Sequence, residues 1–388
     1  MLSAMKAGET LSHALQWRRY MSKVIIACVG GFLGAGKTTA LQRAVVAIRE
    51  RGLRVGVITN DQGTELVDTE AIRSLNVPTE EIGGGCFCCK FDDLALHAKR
   101  LLDYERPDVI LAEAVGSCTD LSATVYQPLR KYYKDEFDLA PLSILVEPSR
   151  IRAFVGSGDD GFPDTVRYLF EKQLAEADLI VLNKADTVDD AEREELTQAV
   201  TRLAGTIPVR TMSALTSEGV DGWIETLLTE RAAGNRILDI DYETYAQAEA
   251  VLGWLNARVR LTAQQEVSPK AAAEALIGHI QSGSLDAGMA IAHVKILAQT
   301  DAGSDRIALT DGQGKPQWSS EKTFPATNNF VLVVNARIRT NPEALSKLVE
   351  QSLAAMADTL GLETDVERIA SFSPPPPNPP YRFTEKVS

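Results

Sequence analysis

A glycine-rich segment directly after an apolar run constrains the fold of this chain more than any other feature. Residues 31–38 read GFLGAGKT and fit the pattern G-x-x-x-x-G-K-[ST], and they follow a run of branched apolar residues at 24–29. An amphipathic helical pattern begins immediately afterwards. In a strand–loop–helix context, such glycines let backbone N–H groups surround phosphate oxygens, and the helix N-terminus adds partial positive charge. The phosphate-binding residues predicted for this loop are Gly31, Gly34, Ala35, Gly36, Lys37, Thr38 and Thr39.

The chemistry expected at such a loop needs a cation, a hydroxyl and carboxylates at one edge of the sheet. We expect Lys37 to bridge the β- and γ-phosphates of a nucleoside triphosphate as a catalytic cation, and the Thr38 hydroxyl to bind Mg²⁺. Glu113 ends the third apolar run, where a carboxylate can hold Mg²⁺, and Gly116 allows backbone approach to the γ-phosphate. Asp61 ends the second run and is expected to act on Mg²⁺, the attacking water or a second metal, with an ordinary turn as the alternative.

A second motif concerns the base of the nucleotide. The letters NKAD end the fifth apolar run and resemble the guanine-specificity motif of GTPases. The Asp186 carboxylate can accept hydrogen bonds from N1–H and the 2-amino group of guanine, whereas adenine offers neither donor there. Lys184 would lie along the base, and Asn183 would hold the loop and reach N7. Backbone N–H groups of Ser213 and Ala214 would bind O6, so we predict GTP, with an ATP-using, kinase-like enzyme as the alternative.

Three of the five cysteines fall within four residues, at Cys86, Cys88 and Cys89, behind three consecutive glycines. Thiolates bind Zn²⁺ and other late transition metals, and three sulfurs leave a tetrahedral site open for another ligand. We predict a metal site, with a redox dithiol or buried structural cysteines as alternatives. Cys28 lies in the first apolar run and is expected to be core, whereas the role of Cys118 is left open. The odd number in a long chain argues against a disulfide framework and favours reduced thiols in the cytoplasm.

The pattern over the first 230 residues predicts an α/β fold with a mostly parallel sheet. Continuous apolar runs, typical of strands buried on both faces, occur at residues 24–29, 55–59, 109–112, 142–146, 179–182 and 208–209. Helical patterns lie between them, for example at residues 39–51 and 189–203. We assign residues 23–231 to a P-loop domain, preceded by an N-terminal extension at residues 1–22.

After a linker at residues 232–247, strictly alternating strands replace the continuous apolar runs. His293 and Lys295, for example, lie on the face opposite to their apolar neighbours, which predicts a sheet with one apolar and one solvated face. Helical patterns in this part lie at residues 270–281 and 342–360. The order β-α-β-β-β-α-β resembles a ferredoxin-like α+β domain at residues 248–373, and the proline-rich tail at 374–388 is expected to be extended.

The formal net charge of −13 argues against a broad nucleic-acid surface, because phosphate backbones bind where positive charge is concentrated. The sequence has no apolar run of about 18 residues, so no membrane span is predicted. Residues 1–22 lack the apolar core of a secretory signal, and we interpret them as a frayed extension or as the product of a start codon assigned too early. We therefore expect neither nucleic acid nor membrane as a partner.

Together the motifs resemble those of the CobW-type GTPases, relatives of the UreG and HypB metal-centre maturation GTPases. The resemblance covers residues 23–230 and rests on GFLGAGKTT, the pair Asn60-Asp61, the segment GCFCC, Glu113 with Gly116, and NKAD. It implies a GTP-binding and GTP-hydrolysing metallochaperone or metal-insertase, in which GTP and Mg²⁺ organise the cysteine site. Hydrolysis would release the metal, zinc or cobalt, to a client metalloprotein.

Two features depart from the pattern of that family. After the second strand the family often reads Asn-Asp/Glu-Phe-Gly-Glu, whereas here Asp61 is followed by Gln62-Gly63-Thr64 and Glu65 comes one place late. A carboxylate sometimes used at that point is therefore shifted or missing. The sequence also lacks a histidine-rich tract between the domains, and its C-terminal region is longer than the usual module of the family.

The alternative function is a regulatory or assembly GTPase that acts on a cobalamin- or other cofactor-dependent client, with cysteines that are only structural. The sequence does not place an arginine as a finger for the phosphates, so slow basal hydrolysis is expected. A nucleotide-dependent homodimer is a further partnership that the sequence leaves open.

Overall fold

The computed structural model describes residues 23–63, 67–155, 161–320 and 322–387. The predicted N-terminal extension and Glu65 lie outside the described residues. Two sheets organise the described part of the chain, one within residues 24–211 and the other within residues 252–372. Among the helices of this part, none combines the length and the apolar character that crossing a membrane requires.

The first sheet is parallel throughout, with strands in the order β3-β2-β4-β1-β6-β7-β8 and β5 beside the start of β1. Its strands are β1 (Val24–Gly30), β2 (Val55–Asn60), β3 (Thr79–Ile82), β4 (Val109–Glu113), β5 (Phe137–Leu139), β6 (Ser143–Val146), β7 (Leu179–Leu182) and β8 (Val209–Thr211). The predicted α/β fold is confirmed. Strands β3 and β5 were not predicted, because β3 is a short polar edge strand and β5 has only three residues.

Helices cover both faces of this sheet, which explains its continuous apolar strands. They are α1 (Lys37–Glu50), α2 (Val67–Arg73), α3 (Phe91–Tyr104), α4 (Gln127–Tyr132), α5 (Pro148–Val155), α6 (Asp164–Glu176), α7 (Asp190–Ala204), α8 (Val220–Thr229) and α9 (Tyr242–Ala250). Along β1 the side chains alternate between two cores: Ile26 and Cys28 lie in one, and Ala27 and Val29 in the other. A run without polar residues is therefore required at this central strand.

The second sheet is antiparallel, in the order β12-β11-β10-β13-β9-β14. Its elements are β9 (Leu252–Val267), α10 (Pro269–Asp286), β10 (Ile291–Thr300), β11 (Gly303–Leu309), β12 (Gln317–Trp318), β13 (Thr327–Arg339), α11 (Pro342–Leu360) and β14 (Leu362–Phe372). The predicted C-terminal α+β domain is confirmed, with the two-residue β12 added at one edge. Helices α10 and α11 share a core with the apolar face of the sheet.

The polar face of the second sheet is not solvated, which corrects the expectation from its alternation. Arg337 is fully buried, Asn335 is 2% exposed, and His293 and Arg306 are each 6% exposed. This face packs on the first domain, where the backbone N–H of Val67 donates to Asn335 Oδ1 at 3.2 Å. The alternation of apolar and polar residues along a strand distinguishes the two faces of the sheet. It does not predict whether solvent or another domain covers the polar face.

The segments that flank the second sheet also pack on the first domain. The predicted linker contains most of α9, whose Tyr245 is fully buried. Residues 373–387 form neither helix nor strand, as expected of a proline-rich segment. Within this tail, the Tyr381 ring meets the Phe91 ring at 5.3 Å, and Arg382 Nε lies 2.7 Å from Asp120 Oδ2. The tail thus lies against the first domain near the end of β4.

Candidate functional site: a phosphate-binding cavity beside a thiol cluster

The loop between β1 and α1 is shaped for phosphate. Gly36 caps α1 with φ 84°, a left-handed conformation that favours glycine, so that the first N–H groups of the helix face the loop. Lys37 Nζ donates to the carbonyl oxygens of Gly31 at 2.7 Å and Phe32 at 3.3 Å. Burial lowers the pKa of Lys37 to about 8, with Glu113 partly opposing the shift. Within the described part of the chain, the hydrogen bonds of the Lys37 ammonium group thus go to backbone carbonyl oxygens of the loop.

The two residues predicted to bind Mg²⁺ are in direct contact. Thr38 Oγ1 donates to Glu113 Oε1 at 2.9 Å, and Glu113 is 5% exposed. Among the described residues, Glu113 Oε2 has no hydrogen-bond partner. Burial and the nearby Asp68 raise the pKa of Glu113 to about 7. A buried carboxylate with an unpartnered oxygen beside a hydroxyl fits a hard cation that prefers oxygen ligands, so these residues fit Mg²⁺.

A cavity of about 320 Å³ opens beside this pair, within the size range of small-molecule sites. Predicted site residues that line it are Gly34, Gly36, Lys37, Thr38, Thr39, Asp61, Glu113, Gly116, Asn183, Lys184, Asp186 and Ala214. The predicted residues Gly31, Ala35 and Ser213 support it instead: Gly31 holds Lys37, and Ala35 O accepts from Asn183 Nδ2 at 2.8 Å. Residues separated widely in the sequence thus meet around one cavity.

Asn183 and Asp186 arrange the end of the cavity predicted to take the base. Asn183 Oδ1 accepts from the backbone N–H of Ala214 at 3.0 Å, so Asn183 ties the phosphate loop to the loop after β8. Asp186 Oδ1 accepts from the Ser213 hydroxyl. Lys184 Nζ lies 2.6 Å from Glu147 Oε2, an acid that the sequence analysis did not single out. Glu147 directly follows β6. Its position after an apolar run could have identified it as a further carboxylate at the same edge of the sheet.

Asp61 forms an ion pair with Arg337 of the second sheet. Its carboxylate accepts from Arg337 Nη2 at 3.0 and 3.2 Å, and Oδ1 also accepts from the backbone N–H of Gly63 at 2.9 Å. The second contact is the Asx turn that was the alternative interpretation. Arg337 further donates to Leu255 O at 2.9 Å and lies 4.2 Å from the Trp254 ring centre. Asp61 lines the cavity as part of an ion pair between domains, and its catalytic role stays a prediction.

Two cations of the second sheet reach into the cavity, which sequence reasoning missed. Lys295 Nζ lies 2.7 Å from Asp68 Oδ2, and Arg306 Nη1 lies 2.9 Å from Asp68 Oδ1. Arg306 also donates to Thr39 Oγ1 at 3.1 Å. Burial alone would raise the pKa of Asp68, but the two cations outweigh it and hold that pKa well below its usual range. The polar face of β10 carried the signal, since Lys295 alternates with apolar residues.

The three clustered cysteines form a second site, between β3 and α3. The sulfurs of Cys86, Cys88 and Cys89 all lie within 4.8 Å of one another, with Cys86 and Cys88 buried and Cys89 partly exposed. The backbone N–H of Cys89 donates to Cys86 O at 3.0 Å, a tight turn that points the thiols together. The chemistry of this donor set fits a late transition metal.

Asn60 joins the thiol loop to the cavity. Its Nδ2 donates to Ile82 O at 2.9 Å and to Gly85 O at 2.7 Å, and its Oδ1 accepts from the backbone N–H of Phe87 at 2.9 Å. The residue ends β2 and lines the cavity next to Asp61. Two of these hydrogen bonds, to Gly85 and Phe87, connect the end of β2 to the cysteine turn.

A fourth thiol and the C-terminal tail complete the surroundings of the cluster. Cys118 Sγ lies 3.4 Å from Cys88 Sγ, and Cys118 is fully buried. Hydrogen bonding with Cys86 and Cys88 lowers the pKa of the Cys118 thiol to about 6. On the outer side, the backbone N–H of Asn378 donates to Cys89 Sγ at 3.2 Å. Cys28, in contrast, lies in the core along β1.

The loop, the acid after β4 and the NKAD turn around one cavity define a P-loop nucleotide-binding domain. Residues 25–210 match the family model of the CobW/HypB/UreG nucleotide-binding domain. The resemblance predicted from the motifs is thereby confirmed.

Named relatives agree with that assignment. The zinc chaperone CobW of Sinorhizobium sp is 30% identical over 215 residues, which cover 48% of this chain and 58% of that protein. The zinc chaperone YeiR of Escherichia coli K12 is 29% identical over 173 residues, which cover 42% of this chain and 48% of that protein. The chain thus spans about half the length of the curated relatives that it matches.

Two solved structures with a bound metal also align with part of the chain. The Zn(II)-bound YjiA GTPase from E. coli aligns with a TM-score of 0.35 at 16% identity, over 87% of this chain and 99% of that chain. HypB from Helicobacter pylori in complex with nickel aligns with a TM-score of 0.38 at 17% identity, over 60% of this chain and 95% of that chain.

Proposed function

We propose that the protein is a GTP-hydrolysing metallochaperone that carries zinc or cobalt on its thiol cluster and delivers it to a client metalloprotein. One observation carries the proposal: the segments that line the nucleotide cavity continue directly into the thiol cluster. Asn60 clamps the cysteine turn, and the loop from Glu113 to Cys118 passes the cavity before it reaches Cys88. Zinc as the cargo is supported by the relatives, which are named zinc chaperones.

In this proposal the residues of the cavity bind and orient the nucleotide. Lys37 leaves its two carbonyl partners to hold the β- and γ-phosphates, and Gly116 lets the backbone approach the γ-phosphate. When bound through Thr38 and Glu113, Mg²⁺ supplies positive charge against the charge that develops on the transferred phosphoryl group. We expect slow hydrolysis by the protein alone, because the sequence motifs of the P-loop domain do not place an arginine as a finger for the phosphates.

Asp186 gives the nucleotide prediction its sharpest test. Changing Asp186 to Asn replaces the two accepting oxygens of the carboxylate with an amide. GTP binding should become weaker by about a hundredfold, because hydrogen bonds to charged groups contribute about 1.5–3 kcal/mol. Xanthosine triphosphate, which offers a carbonyl at position 2, should bind the variant better than GTP does. Fluorescent-nucleotide titration of both proteins measures this. Tighter binding of ATP than of GTP by the unmodified protein would instead support the kinase-like alternative.

A regulatory or assembly GTPase with a cofactor-dependent client is the second candidate. The burial of the cysteines favours it, since Cys86 and Cys88 are each 1% exposed and pack in the hydrophobic core. Under this hypothesis a client is captured in a nucleotide-dependent manner by a variant without these thiols. Under the metallochaperone hypothesis the same variant fails to load any client with metal.

A further inference from the structure

We propose that Cys118 is the fourth sulfur ligand of the metal, so that the cargo site is a closed set of four thiolates rather than an open set of three. This inference deepens the proposed metallochaperone function and rests on it. Zinc–sulfur bonds of about 2.3 Å in a tetrahedron place neighbouring sulfurs about 3.8 Å apart. The Cys88–Cys118 and Cys88–Cys89 sulfur distances, 3.4 and 3.9 Å, bracket that value.

Cys118 reaches the cluster from a different segment than the other three thiols. The cysteine turn lies between β3 and α3, whereas Cys118 lies on the loop after β4. That loop is held in place: Gln173 Nε2 donates to the carbonyl oxygens of Gly116 at 3.0 Å and Cys118 at 2.9 Å. The Cys118 thiol is therefore held beside Cys88, and the turn that carries Cys86, Cys88 and Cys89 must shift towards it for all four sulfurs to bind one metal.

The loop of Cys118 also touches the phosphate loop. A Cβ atom on Gly116 would lie 3.0 Å from the backbone nitrogen of Leu33, so the two loops approach closely at this glycine. Glu113, predicted to bind Mg²⁺, begins the same loop. A change of nucleotide at Gly116 therefore acts two residues away from a metal ligand, which gives the nucleotide a short physical path to open or close the site.

The test is cobalt spectroscopy of the reduced full-length protein with Cys118→Ser and, as a matched control, Cys28→Ala. Cys28 is also buried, but lies in β1 with its thiol beside Tyr126. The thiolate-to-cobalt absorption should fall by about a quarter in Cys118→Ser, because three of four sulfurs remain. Zinc affinity should fall by at least about a hundredfold. This exceeds the loss expected when the changed residue only hydrogen-bonds to a metal ligand. The control should match the wild type.

Equal absorption and zinc affinity in Cys118→Ser and the wild type would overturn this inference while leaving the metallochaperone proposal intact. A wild type without any thiolate-to-cobalt absorption would overturn both. Cys118→Ala serves as a second variant, and GTP binding by each variant checks that the first domain is folded. A Cys88–Cys118 disulfide that forms in air and leaves metal binding unaffected would assign the thiol pair to redox chemistry instead.

A separate observation, the pair of cations on Asp68, carries a second inference. We infer that Lys295 and Arg306 bind the terminal phosphate of the nucleotide, so that the second sheet closes on GTP. Both side chains line the cavity with Lys37. Arg306 already donates to Thr39 Oγ1 at 3.1 Å, within the phosphate loop.

Without nucleotide, Asp68 forms ion pairs with both of these cations. Its carboxylate holds Lys295 and Arg306 at 2.7 and 2.9 Å and also interacts with the Thr38 hydroxyl. A triphosphate carries more negative charge than one carboxylate and matches the planar fork of an arginine. It therefore competes for both cations, and Asp68 is released towards the Mg²⁺ position at Thr38. The second domain thereby gains a direct contact that GTP makes and GDP lacks.

Titration of Lys295→Gln and Arg306→Gln with GDP and with a non-hydrolysable GTP analogue tests this closure. Each variant should bind the GTP analogue about tenfold more weakly, the cost of a lost charged hydrogen bond, with GDP affinity changed less than about twofold. Arg260→Gln is the control, since Arg260 lies on the same sheet and pairs with Glu367. Equal losses for both nucleotides, or none, would overturn the inference. A wild type that binds neither nucleotide would overturn the proposed function as well.

Discussion

Joint replacement of Cys86 and Cys88 by serine is expected to abolish tight metal binding while the protein stays folded. The two thiols lie at the centre of the cluster, and their sulfurs lie within 4.8 Å of each other and of the Cys89 sulfur. Thiolate sites for zinc bind with about 10 kcal/mol or more, so removing two sulfur ligands should lower affinity by at least about a thousandfold. Competition with a chromophoric chelator measures the change.

The fold should survive this change, because the serine side chain is only slightly smaller than that of cysteine. In addition, Asn60 holds the turn by hydrogen bonds to its backbone groups. Cys28→Ala is again the control, and its zinc affinity should equal that of the wild type. Identical, weak zinc binding by the wild type and the double variant would show that Cys86 and Cys88 are not metal ligands. The regulatory GTPase with structural cysteines would then be the better description.

Replacing Arg337 with alanine should destabilise the protein by about 3–5 kcal/mol, the typical cost of breaking a buried ion pair. Arg337 is fully buried between the domains, and its removal leaves Asp61 without its cationic partner. The change also removes the contact with the Trp254 ring and two hydrogen bonds to backbone carbonyls. Urea denaturation followed by tryptophan fluorescence measures the loss.

Arg260→Ala is the matched control for this prediction. Arg260 and Glu367 form an ion pair whose side chains are 44% and 26% exposed, and such pairs contribute about 0–1 kcal/mol. If Arg337→Ala shifted the denaturation midpoint no further than this control, the interface between the second sheet and Asp61 would not be a stabilising contact in solution.

Local chemistry explains what could be predicted from the sequence. Helix α11 begins and ends at the predicted residues because Asn341 caps it, accepting from the Ala344 N–H at 2.8 Å, and Gly361 ends it with φ 64°. The phosphate loop was equally readable, since its glycines and Lys37 are adjacent in the chain. Alternation in β10 and β13 predicted the antiparallel sheet because each strand has one apolar face.

Contacts between distant segments could not be read in this way. Cys88 and Cys118 are separated by α3 and β4, and nothing in the spacing of two cysteines 30 residues apart brings them within 3.4 Å. The same limit hid Arg306 and Lys295, whose polar face looked solvated although it covers the nucleotide cavity. The local signal was the position of Lys295 on the polar face of β10. Its meaning depends on how two domains pack.

If the nucleotide controls the metal site, binding of the nucleotide and binding of the metal are thermodynamically coupled, and this coupling can be measured. Zinc affinity should be measured by chelator competition in the presence of Mg²⁺ with either a non-hydrolysable GTP analogue or GDP. We predict that zinc binds at least about fivefold more tightly with the GTP analogue, and that zinc tightens binding of the analogue by the same factor, because such coupling is reciprocal. Equal zinc affinity in the two nucleotide states would contradict the account.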